Sequence, residues 1–207
     1  MRTLIAASVL LLALAGCAPT GGGTTDPTTD PVPSETVTPE PAPQPDALVL
    51  GVQGLTLVDG DGAPDRTVSR EDVVGSVALL TELFGDPAVD GSDFGTSYNW
   101  GDVSGGDSGW FNVRFDAAEF DGVVLRTSEG IQVGSSRDDV LALTTFDPEY
   151  DGDGDGVSDD LGLEPAEEPG TDSLTHPGNV GTSYIDAQFD SDIVTFLFAP
   201  AGDWRDV

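Results

Sequence analysis

Lysine is absent from this 207-residue chain, and its 7 basic side chains, all arginine, stand against 38 acids. The formal net charge of −31 excludes a basic nucleic-acid face, and it excludes Arg/Lys-driven binding to anionic phospholipid. A glycine-rich phosphate loop of the usual kind is excluded too, because its lysine cannot be supplied. The one cysteine, Cys17, leaves no disulfide within the chain, so stability rests on packing and on any bound metal. With one histidine, His176, and no second cysteine, a zinc site of the usual ligand set is excluded as well. After residues 4–14 no apolar run is long enough to span a bilayer. Such acidity attracts divalent cations and basic partners, and charge alone does not choose between them.

The apolar run 4–14 follows Arg2 and ends in small residues just before the cysteine. It matches the apolar core of about 7–15 residues that a secretory signal needs, and it is too short to cross a membrane. Leu14-Ala15-Gly16-Cys17 resembles the lipobox of bacterial lipoproteins. That resemblance implies a signal peptide over 1–16, lipidation of the Cys17 thiol, and a place on the cell membrane facing the extracytoplasmic side. Residues 17–46 are then the lipidated cysteine and a linker of Gly, Thr, Pro and Asp, in which Pro39, Pro41, Pro43 and Pro45 alternate. So few apolar side chains cannot offset the entropy of ordering, so the segment reads as a disordered, partly polyproline-II tether. At about 3.1 Å per residue it holds a domain tens of ångströms from its anchor.

The folded part is expected over 47–207. Ser69-Arg70-Glu71-Asp72-Val73 recurs as Ser136-Arg137-Asp138-Asp139-Val140, and Gly95-Thr96-Ser97-Tyr98 recurs as Gly181-Thr182-Ser183-Tyr184. One acidic insertion at about 147–168 reconciles the two spacings, which suggests an internal duplication with halves 47–121 and 122–207. Ser69 and Ser136 each read as a helix N-cap followed by acids that suit the positive end of the helix dipole. Val73, Val77, Leu80 and Phe84 then keep helical spacing until Gly85-Asp86-Pro87, and Val140, Leu141 and Leu143 supply the apolar contacts of a shorter second helix. Strands are expected over 96–100, 110–115, 122–127, 183–189 and 193–198, with Asp190-Ser191-Asp192 as a tight turn. The last of these is apolar on both faces and reads as a central or covered strand. Leu83-Phe84-Gly85-Asp86-Pro87 before an aromatic strand, and Gly130-Ile131-Gln132-Val133-Gly134 before Ser136 and Val140, resemble the β-lactamase-inhibitor-protein-like fold. The resemblance spans roughly 58–200 and carries over no inhibitory residue. The expected fold class is therefore α+β, with two tandem helix plus antiparallel β-meander units forming one compact domain after the tether.

Asp151, Asp153, Asp155 and Asp159, with Gly156 between them, resemble the calcium loops of EF-hands and of Asp-rich surface repeats. Ca²⁺ takes six to eight oxygens at about 2.3–2.6 Å, and alternate side chains of a curled loop point inward. The resemblance implies Asp151, Asp153, Asp155, the Val157 carbonyl and Asp159 as ligands. Gly162 stands where such loops place a bidentate acid, so the expected site is weak. Asp59-Gly60-Asp61-Gly62 reads as a hairpin turn. Gly106-Asp107-Ser108-Gly109 resembles the nucleophile segment of trypsin-like proteases, but His176 follows rather than precedes it and Trp110 breaks the pattern. A glycine-rich turn explains it better. Trp100, Trp110 and Tyr98 are weighed as a binding face against strand core, with core favoured.

The function expected from these residues is a lipid-anchored extracytoplasmic protein of non-enzymatic binding or structural type, with Ca²⁺ as its candidate cofactor. Its partners would be the membrane, through the Cys17 lipid, and an unidentified protein or wall ligand, with no nucleic acid. The alternatives are a wall-polymer or glycan hydrolase using paired carboxylates, or an inhibitor of a secreted enzyme.

Overall fold

The computed structural model describes residues 47–93, 95–143, 145–148 and 150–206. Cys17 and the expected signal peptide (1–16) and linker (17–46) lie outside the described residues. Among the described residues, no helix is long and apolar enough to cross a membrane.

The chain begins with β1 (Ala47–Gly51), β2 (Gly54–Val58) and β3 (Pro64–Ser69), each antiparallel to the next. Leu48 faces Leu57 and Leu50 faces Leu55 across the first hairpin, and all four are buried. Period-two alternation thus puts one apolar face inward. The second hairpin closes at Asp59, whose Oδ1 accepts from the amides of Asp61 and Ala63, as the expected turn requires. Helix α1 (Val73–Phe84) follows and stops at Gly85, where φ is 81°. Its N-cap is Asp72, which accepts from the Gly75 amide at 2.9 Å. Ser69, expected as the cap, is instead the last residue of β3 and pairs with Gly54.

An antiparallel meander comes next: β4 (Ala88–Ser92), β5 (Gly95–Asn99), β6 (Val103–Asp107) and β7 (Phe111–Phe115). The chain then returns to the first sheet through β8 (Glu119–Phe120) and β9 (Val123–Thr127), with β9 running parallel to β1. Helix α2 (Arg137–Leu141) has a full capping box between Ser136 and Asp139. After it come β10 (Thr145–Phe146), β11 (Asp160–Asp172), β12 (Val180–Asp190), β13 (Ile193–Asp203) and β14 (Arg205–Asp206).

The strands form a five-stranded sheet, β3-β2-β1-β9-β8, and a nine-stranded sheet, β10-β11-β12-β13-β7-β6-β5-β4, with β14 beside β11. One core joins them. Leu48, Leu50 and Leu125 of the first sheet, Val113, Phe115, Ile185 and Leu197 of the second, and Leu79, Leu80 and Val140 of the helices belong to one buried cluster.

The α+β expectation is corrected by this architecture. Strand accounts for 53% and helix for 11% of the described residues, in two helices and two large sheets. Helix α2 has only five residues, and Leu141, expected as an apolar contact, is 53% exposed. The excess strand comes from two places. Residues 47–69 form three strands on the Leu48/Leu50 and Leu55/Leu57 alternation. The later part of the acidic stretch, expected as an insertion, falls in the 13-residue β11, whose Leu161 and Leu163 are buried while Glu167 is exposed. The repeated Gly-Thr-Ser-Tyr runs lie on β5 and β12, the second strand of one meander and the third of the other. The five-stranded sheet also draws β9 from the expected second half into pairing with β1 from the first.

Candidate functional site

The acidic loop sits between β10 and β11 and is folded on its own amides. Asp151 accepts from Gly154 and Gly156, Asp153 from Asp155, Asp155 from Val157, and Asp159 from Gly152, at 2.6–3.0 Å. Glycine is needed at 154 and 156, where φ is 79° and 87°. The turns bring ligand atoms of Asp151, Asp153 and Asp159 within 4.8 Å of one another, a set that could hold a metal ion. Asp151 and Asp153 are exposed and Asp159 is partly buried. Of the other residues expected as ligands, Asp155 turns its Oδ1 to the Val157 amide and lies outside this cluster, and the Val157 side chain is exposed.

A base serves this loop that the sequence reading did not foresee. Arg137, the first residue of α2, donates to the Ser158 carbonyl at 2.8 Å and to the Ser191 carbonyl at 3.1 Å, and stacks 4.1 Å over Phe189. It therefore ties the loop to the β12–β13 turn. Arg70, the matching arginine of the first Ser-Arg pair, ion-pairs with Glu168 at 2.7 Å. Burial works against the Glu168 charge, but the Ser183 hydroxyl and Arg70 outweigh it and hold the carboxyl below its usual range. The repeated Ser-Arg was the available signal for both clamps.

Next to the loop, β11 and β12 carry two carboxylic acids on their outer face. Burial, then the charges of Asp147 and Asp159, push Asp160 up to about 6. Burial, then Asp160, push Asp186 up to about 7 against the pull of Arg114. The Oδ1 atoms of both are buried without a hydrogen-bond partner. The folded state thus holds these protons more tightly than the unfolded chain, with its carboxyl pKa near 3.8. Their contribution to stability is complete below that value and is lost as pH rises through about 6 and about 7. The melting temperature is expected to fall across that window, and Asp186→Asn is expected to flatten the fall. An equal slope in the variant, measured by thermal melts in matched buffers, would refute the assignment.

The outer face of the nine-stranded sheet also holds two cavities, of about 380 and about 400 Å³, that share Ser108, Asn112 and Phe198. Arg114, Phe198 and Asp186 stand in one register row across β7, β13 and β12. They face away from the core-facing Val113, Leu197 and Ile185. The larger cavity carries Arg70, Trp110, Tyr184 and Trp204. The rings of Trp110 and Trp204 lie 5.1 Å apart at 59°. Glycine makes room for Trp204: a Cβ at Gly181 would meet its Cβ at 2.2 Å, and one at Gly202 would meet its Nε1 at 2.4 Å. Of the aromatics weighed from sequence, Trp100 is buried, Tyr98 packs on the core, and Trp110 reaches this open face.

The serine of the protease-like segment lies in the β6–β7 turn, where Asp107 accepts from the Gly109 amide. His176 lies in a separate turn, its Nδ1 2.8 Å from the Thr175 hydroxyl. Asp203 organises that turn, accepting from Ser173, Thr175 and the Leu174 amide. Comparison with protein-family models, curated proteins and solved structures finds no match.

Proposed function

We propose that this chain is a lipid-anchored extracytoplasmic binding protein, non-enzymatic, that carries Ca²⁺ on its acidic loop and presents its nine-stranded sheet to a ligand. The observation that carries the calcium part is the convergence of Asp151, Asp153 and Asp159 within 4.8 Å on a closed loop. Hard oxygen donors alone, with no nitrogen or sulfur ligand, suit Ca²⁺ over transition metals. Exposure and the Gly162 departure support a weak affinity, at the extracellular end of the scale, about 10⁻⁴–10⁻³ M. The binding part rests on the open face, where polar and aromatic side chains converge on two joined cavities.

Titration calorimetry of the full-length protein with CaCl₂ tests the metal. Wild type is expected to release or absorb heat at millimolar calcium, and Asp153→Asn to abolish it. Calcium at ten times its dissociation constant should also stabilise the fold by about 1.4 kcal/mol, seen as a higher melting temperature. No heat and no thermal shift in the wild type would remove calcium from the reading.

A further inference from the structure

The joined cavities on the outer face have a chemistry that narrows the ligand. We propose that this trough binds an uncharged polysaccharide chain, with Trp110 and Trp204 as the stacking surface and Asn112 and Asp186 as hydroxyl acceptors. This rests on the reading of the chain as a binding protein and names the ligand class of that same face.

Three observations converge on it. Basic charge in the trough is already paired: Arg70 with Glu168 at 2.7 Å and Arg114 with Asp116 at 2.6 Å. A phosphate or carboxylate ligand would have to break one of these pairs, and the net charge of −31 repels polyanions at long range. Hydrogen-bond acceptors are in excess. Asn112 lines both cavities and Asp186 the larger one, and each has an Oδ1 buried without a partner. A buried acceptor left unpaired carries a desolvation cost, which a donor from a ligand hydroxyl recovers. The lining also suits a ring with an apolar face and a polar edge. The Trp110–Trp204 pair provides π-faces, and Ser97, Ser104, Ser108 and Thr96 supply hydroxyls in the neighbouring cavity. Because Gly181 and Gly202 seat Trp204 against β12 and β13, the ring is held in place before any ligand arrives.

Affinity electrophoresis of the full-length protein in detergent tests this, through gels containing a neutral β-glucan, a xylan, a galactomannan or polygalacturonate. Retardation by at least one neutral polymer and none by polygalacturonate is expected. Trp204→Ala and Trp110→Ala should each weaken retention about tenfold, while Val74→Ala, 80% exposed on α1, leaves it unchanged. Should the tryptophan variants misfold, quenching of wild-type tryptophan fluorescence by a soluble oligomer of the retained polymer is the independent reading. The proposal is overturned by free migration in every neutral gel, by equal retention on polygalacturonate, or by a folded Trp204→Ala that binds as wild type. Retention accompanied by new reducing ends supports the glycan site and overturns the non-enzymatic reading instead. Capture of a polypeptide, and no glycan, by a photo-crosslinker at position 112 overturns the glycan site and leaves the binding reading standing.

Discussion

Phe115→Ala should destabilise the domain by about 3–5 kcal/mol, the range seen when a large aromatic is cut from a packed core. Phe115 is fully buried on β7 and sits at the seam of the large sheet, opposite Val103 on β6 and Leu197 on β13. The β7–β13 pairing is what joins the two meanders into one sheet. A cavity there loosens both, and domains of this kind have only about 5–15 kcal/mol in all. Urea titration followed by tryptophan fluorescence would show the loss as a lower midpoint with a similar slope. Val74→Ala is the control: Val74 is 80% exposed on α1, and its truncation should stay within about 0.5 kcal/mol. A Phe115→Ala loss under about 1 kcal/mol would mean that β7 does not turn this face inward.

Cys17→Ala is expected to reduce acyl incorporation to background, read by labelled palmitate and by loss of the lipid mass from the purified chain. No basic patch offers a substitute for the lipid. Each buried methylene contributes about 0.8 kcal/mol, so two or three chains hold a protein durably where one gives only marginal binding. A polybasic patch could otherwise assist, but lysine is absent. Arg66, Arg70, Arg114 and Arg137 are moreover engaged with Glu82, Glu168, Asp116 and Asp192. An acylated Cys17→Ala variant would remove the lipobox reading. The acyl label is the decisive readout, because an uncleaved precursor keeps the apolar run 4–14, which sediments with membranes on its own.

Local features were the most legible. The Asp59–Gly62 turn, the end of α1 at Gly85, the Ser136 cap and the Phe111/Val113/Phe115 alternation all follow from residues adjacent in the chain. The strand expected over 193–198 is indeed internal, between β12 and β7. Misreadings arose where one signal masked another. In β11 the acids on the outer face hid the Leu161/Leu163 alternation, so a long strand looked like a loop. At Ser69 the serine-plus-acid pattern was real, but Asp72 lies three residues nearer the helix and takes the Gly75 amide. Trp110 and Trp100 are both strand-flanking tryptophans in one meander. Only the packing tells that one meets the trough and the other the core.

By itself the sequence determined the charge, the lack of any disulfide, and the Asp and Gly spacing from which the acidic loop is built. Those depend on composition or on neighbours a few residues apart, whose geometry needs no distant partner. Tertiary structure alone decided that β9 lies beside β1 and β7 beside β13, and so which side chains share a face. Those pairings depend on which apolar faces close a common core at the entropic cost of long loops. No local pattern encodes that choice. The raised pKa values of Asp160 and Asp186, the clamps made by Arg70 and Arg137, and the trough between Trp110, Asn112, Asp186 and Trp204 all follow from it.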